Sequence, residues 1–184
     1  MTNLLDNVNN KTNESVEILK KFFADTYSDV IVGLNNNNEI IVRGTIFIVD
    51  DDVKKFPVKF HKLVGDLKWA NNPASVAHTD LRSLENFPDI IEGNCLINGN
   101  KHLMTLEHGP KIVTGTFDFS ECENINSLDG MPKSANAIIA TNTKLKDVKA
   151  LYESEIRKIT LVNTPVASNK ETIEEISNIF KVYY

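Results

Sequence analysis

Two cysteines and four histidines are the side chains in this sequence best suited to nucleophilic, acid–base or metal chemistry, and their spacing decides whether they act together. Zinc sites and cysteine nucleophiles need a second ligand or a base at a supporting distance along the chain. Cys95 and Cys122 have no such neighbour and are read as free thiols packed in the interior. His102 and His108 are six residues apart across a leucine, and His61 stands alone. His78, two residues before Asp80, is the one pairing with acid–base potential, but no nucleophile or substrate pocket can be named beside it. No phosphate loop, dinucleotide glycine fingerprint, Gly-x-Ser-x-Gly elbow or His-Glu-x-x-His sequence occurs. The reading is therefore non-enzymatic, with no catalytic residue, no metal site and no cofactor. The densest basic run, Lys54 to Lys62, sits in a chain of net charge −5 and pI near 5.4. Neutralising a nucleic-acid backbone needs several unopposed cations. That run is read as a solvated loop face, and nucleic acid is not an expected partner.

Chemistry of recognition remains, and it depends on the elements that present the side chains. The segment Leu81 to Gly93 is echoed by Leu103 to Gly115 and again from Ile125, so that Pro88, Pro110 and Pro132 recur at intervals of 22 residues. After each proline comes a run of period two, the signature of a strand. Cys95 and Ile97 begin the series, which continues with Phe117 and Phe119, then Ile138 and Ala140. The pattern extends back to Leu67 and Trp69 and to Ile46 and Ile48, and forward to Ile159 and Leu161. These twelve residues are the expected core. Three positions beyond each pair stand Asp51, Asn72, Asn100, Cys122, Thr143 and Thr164, small polar groups placed to satisfy inward-facing backbone where the chain leaves the strand. One interval is longer, and its surplus falls at 72–80, expected to be a surface loop.

Leu-x-x-Leu, proline, an alternating strand and then Asn or Cys resembles leucine-rich repeats, above all the short, helix-poor type of bacterial effectors. A closer resemblance is to degenerate Leu-Glu-Gly-x-Pro repeats of tailed-bacteriophage proteins, here Leu84-Glu85-Asn86-Phe87-Pro88, Leu106-Glu107-His108-Gly109-Pro110 and Leu128-Asp129-Gly130-Met131-Pro132. It covers about residues 44–166. The resemblance implies a repeat solenoid with a parallel β-sheet and few helices in the repeats, and it carries no catalytic residue. No ligase domain of the effector type follows, and the repeat length is irregular.

A stack of repeats must be covered at both ends. Val16, Leu19, Phe22, Phe23 and Tyr27 predict a helix over about 14–27, capped by Thr12 or Asn13. Val30 to Val32 and Ile40 to Val42 predict a hairpin or first strands around an asparagine-rich turn. Ser168 and Glu171 have capping-box spacing before Ile173, Ile176, Ile179 and Phe180, which predicts a closing helix. The expected organisation is an N-terminal cap over 1–43, a leucine-rich-repeat-like solenoid over 44–166 and a C-terminal capping helix over 167–184, folded as one unit. The longest apolar runs fall far short of a membrane span, and the first residues lack the features of a secretory signal. The expected location is cytoplasmic, in the host cell if the chain is phage-encoded.

If the twelve core positions point inward, alternation turns Phe47, Lys68, Leu96, Asp118, Ile139 and Thr160 outward. Large apolar groups interspersed with charge suit a recognition surface. These six are the expected partner-binding residues. The function expected is a protein-recognition module, with modulation of a host or defence protein suggested by the phage-like context. The alternative is a self-assembling or virion-associated structural subunit that uses the same faces for homo-oligomer contacts.

Overall fold

The computed structural model describes residues 2–26, 28–70 and 79–184, with side chains from residue 10 onward. Tyr27, Asn72, Ala74 to His78 and most of the predicted 72–80 loop lie outside the described residues. The chain opens with helix α1 (Thr2–Ala24), followed by β1 (Asp29–Leu34) and β2 (Ile40–Phe47). Then come the short strands β3 (Lys62–Val64), β4 (Leu67–Lys68), β5 (Ile90–Glu92) and β6 (Cys95–Leu96). The longer β7 (Ile112–Asp118) and β8 (Ser134–Ile139) precede β9 (Lys158–Thr160), helix α2 (Lys170–Ser177) and β10 (Lys181–Tyr183). Among the described residues all the strands belong to one ten-stranded sheet, parallel except for the β1–β2 hairpin. The hairpin forms because Asn35 Oδ1 accepts the backbone N–H groups of Asn37 and Glu39, both at 2.9 Å, and Asn38 takes the left-handed φ of 62° that the turn requires.

Each pass along the sheet is followed by a return segment that carries its own apolar groups. All twelve predicted inward residues, from Ile46 to Leu161, are buried. Opposite them the returns supply Leu81, Leu84 and Phe87, then Leu103 and Leu106, then Ile125 and Leu128, then Leu145, Val148 and Leu151. The residue two before each repeat proline (Asn86, His108 and Gly130) adopts positive φ, and its neighbour closes a tight turn: Phe87, Gly109 and Met131 each donate a backbone N–H to the carbonyl three residues earlier. At the N-terminal end Phe23, Phe56, Phe60, Trp69 and Phe87 form a ring cluster, with Phe56 5.1 Å from Trp69 and 5.2 Å from Phe87 between centroids.

Sequence periodicity predicts one strand per repeat, whereas the early repeats contain two short strands separated by a bend. Leu63, Ile91, Val113 and Ala135 form a second buried register on the first of them. The bend falls at Gly44, Gly65, Gly93 and Gly115, which stack on one another. A Cβ on Gly65 would collide with the carbonyl of Gly44, and one on Gly93 with the carbonyl of Gly65. The column ends at β8, where Ala135-Asn136-Ala137 is one residue shorter and the ladder shifts between Val113 and Thr116.

The ends also depart from expectation. Helix α1 begins at Thr2 and not near residue 14, so Thr12 and Asn13 lie inside it and not at its N-cap; no proline or glycine interrupts residues 2–13 to stop it sooner. Helix α2 is capped by Asn169, whose Oδ1 accepts the Thr172 N–H at 3.2 Å, while Ser168 closes a preceding 3₁₀ turn. Ile173, Ile176 and Phe180 are buried as predicted. Ile179 is 61% exposed, because the helix ends at Ser177 and the chain straightens into β10.

Candidate functional site

Strand pairing brings the six predicted recognition residues into a single row. Phe47 is opposite Lys68, Lys68 opposite Leu96, Leu96 opposite Asp118, Asp118 opposite Ile139 and Ile139 opposite Thr160. Tyr183 of β10 extends the row by one strand. The carbonyls of Lys68, Leu96, Asp118, Ile139, Thr160 and Tyr183 accept N–H bonds of 2.7–3.0 Å from the neighbouring strands, so backbone bonds hold the row from end to end. A rigid sheet loses little freedom when it meets a partner.

Phe47 is 37% exposed and the other five residues are half-buried. Lys68 reaches over the Phe47 ring, its Nζ 4.9 Å from the centroid, and so joins the first two positions into one amphipathic contact. Val49 and Val162 lie two residues beyond Phe47 and Thr160, past the ends of β2 and β9, and are exposed. Apolar groups are thus exposed near both ends of the six-residue row. Between them Asp118 Oδ1 accepts the Ser120 N–H at 2.9 Å. Beside the glycine column Asp66 Oδ1 accepts the Asn94 N–H at 2.7 Å, and Asn94 Oδ1 accepts the Thr116 N–H at 2.9 Å. This outer polar ladder was not anticipated from sequence. Its signal was the Asp or Asn that follows Gly65 and Gly93.

An inner ladder forms at four of the six predicted positions. Asn100 donates to the carbonyls of Trp69 (2.7 Å) and Ile97 (2.9 Å) and accepts from Thr79 Oγ1 (2.9 Å) and the Leu81 N–H (3.0 Å). Cys122 Sγ donates to the Ile97 carbonyl, Thr143 to that of Ala140 and Thr164 to that of Leu161. Asp51 is exposed and is not part of it, since the chain at 50–52 turns out into solvent; Asn72 lies outside the described residues.

Among the groups with chemical potential, Cys122 and His102 have polar partners in the structure. Burial pushes the Cys95 thiol far up and that of Cys122 up to about 12, so both stay protonated and non-nucleophilic at neutral pH. His102 Nδ1 meets Asp80 Oδ1 at 2.5 Å, and Asp80 also binds Arg82 (2.7 Å) and Lys54 (2.8 Å). Arg82, followed by Lys54 and His102, holds the Asp80 carboxyl well below the usual carboxylate range. The basic run faces carboxylates of the next repeat: Lys54 meets Asp80, Lys55 Glu85, Lys59 Asp89 and Lys62 Glu92. His61 lies 3.6 Å from Glu39 and 3.9 Å from Asp89, beyond hydrogen-bond reach, on the wall of an open surface groove of about 350 Å³ beside α1. Asp50, Asp51 and Asp52 bring their carboxylates together on an exposed turn. Among the described residues no helix is long and apolar enough to cross a membrane. Comparison with family models, with curated proteins and with solved structures gives no match for this chain.

Proposed function

We propose that the chain is a leucine-rich-repeat-like solenoid that recognises another protein through the outward face of its sheet. The observation that carries the reading is the row Phe47–Lys68–Leu96–Asp118–Ile139–Thr160, in which residues far apart in sequence lie on adjacent strands in one register. Neighbouring side chains in such a row are about 4.8 Å apart, a spacing that offers a flat, continuous surface to a protein and no cleft for a small substrate. Leu96 and Ile139 supply apolar area, Lys68 and Asp118 supply charge for orientation, and the pairing of the basic run with carboxylates favours protein over nucleic acid. The likeness of the three Leu-Glu-Gly-x-Pro copies to tailed-phage repeats suggests a host or defence protein as the target. Lysine footprinting of the chain with a partner captured from its native cells tests the face directly. Lys68 is expected to lose reactivity on binding while Lys101 and Lys149, exposed and outside the strands of the sheet, keep theirs. Protection of Lys101 with Lys68 unchanged would move the site off the sheet.

A further inference from the structure

We propose that two copies of this chain associate through β10, edge to edge about a two-fold axis centred on Val182. Strand β10 pairs with β9 through the N–H of Lys181, which donates to the Arg157 carbonyl at 2.7 Å, and the carbonyl of Tyr183, which accepts from Leu161 at 2.7 Å. In a parallel pair alternate residues turn to opposite edges, so the N–H and C=O of Val182 face away from the sheet. An antiparallel copy of β10 then exchanges two hydrogen bonds between Val182 and Val182 of the second chain. Lys181 falls opposite Tyr183 in the non-hydrogen-bonded register, where side chains come closest. That pair is already compatible, since Lys181 Nζ lies 5.3 Å from the Tyr183 ring centroid within one chain. The strand is therefore self-complementary, as a two-fold interface requires. Tyr183, Tyr184 and Ile179 are 45%, 67% and 61% exposed at this end, which supplies apolar area around the edge. Because Tyr183 shares the row of Phe47 to Thr160, the dimer places two recognition rows on one continuous sheet.

Sedimentation of the whole chain between about 1 and 100 µM is the test. The expected result is a rise in mass from one 20.6 kDa chain towards two. Tyr183→Lys sets a second positive charge against Lys181 on both sides of the axis and is expected to weaken association at least about tenfold. Adding Lys181→Glu to that variant creates two opposite-charge pairs and restores the dimer. Val182→Pro removes an N–H that bonds nothing among the described residues and likewise gives monomers, with circular dichroism verifying the fold. Monomers at every concentration, species larger than two chains, or a dimer unaffected by Tyr183→Lys and Val182→Pro each overturn the proposal. None of these outcomes alters the lysine footprint expected of a bound partner.

Discussion

Asn100 shows how single side chains hold the interior together. Its amide closes four hydrogen bonds to groups that water cannot reach, two of them to the carbonyls of successive repeats. Asn100→Leu strands Trp69 C=O and Leu81 N–H and leaves Ile97 C=O with the Cys122 thiol alone; each stranded group costs about 1–3 kcal/mol, so denaturant unfolding is expected to show a loss of at least about 2 kcal/mol. Cys122→Ala removes one weak S–H bond and a little volume, and a loss of about 1 kcal/mol is expected with binding intact. A loss of binding with the fold unchanged would assign that thiol a direct role. The abundance of asparagine has a physical origin: Asn38, Asn86, Asn142 and Asn163 occupy left-handed turn positions, and Asn94 and Asn100 bond the ladders. Glu121 holds the same left-handed conformation, φ 61°, without asparagine's tolerance for it. Glu121→Asn is expected to stabilise by about 0.5–1 kcal/mol in thermal melts. Asp80 predicts a pH dependence. Its folded carboxyl is held below the unfolded value by Arg82, so its contribution is present above about pH 4 and lost as the pH falls further. The Asp80→Asn variant is expected to lose less stability than the parent between about pH 5 and pH 3, and equal losses would remove the cluster from the account.

The strands were readable from sequence because a half-buried strand alternates with period two, and a fixed repeat interval then stacks equivalent residues. Ile46 to Leu161 and the outward row follow from those two facts alone. The first strand of each repeat was not, since Leu63, or Ile91 with Ile90, gives too short an apolar run for periodicity to register. The glycines that bend the sheet were equally hidden, because a glycine in a strand signals a close backbone approach only when its neighbour across the ladder is known. Gly93→Ala places a methyl against the Gly65 carbonyl and is expected to destabilise by about 2 kcal/mol or more, with amide exchange accelerating first in β3 and β5. Phe117 is fully buried beside Phe119, 5.6 Å between centroids. Phe117→Ala is expected to cost about 3–5 kcal/mol, and a negligible change would contradict the register. At the ends, helix α1 ran past its predicted start because nothing in residues 2–13 breaks a helix, and β10 was missed because three residues carry no period.

At the scale of the whole chain, the proposed solenoid converts sequence distance into a surface. Residues from 47 to 183 meet in one row, tied by backbone bonds and backed by a core in which every inward position is filled. Which residues form that row was accessible from alternation; how apolar its two ends are was not, because exposure depends on the bend at the glycine column and on the edge strands. Large side chains desolvated at the centre of an interface carry most of its energy, whereas peripheral charges mainly alter association rate. Calorimetry with the captured partner, comparing Leu96→Ala and Ile139→Ala with His102→Ala, tests the sheet face most directly. Recognition through the sheet face requires that each sheet-face variant weakens binding by more than about 1 kcal/mol while His102→Ala binds as the parent does, all three remaining folded by circular dichroism. Loss of binding in His102→Ala with both sheet-face variants unaffected would contradict it and place recognition at the Asp80–His102 cluster.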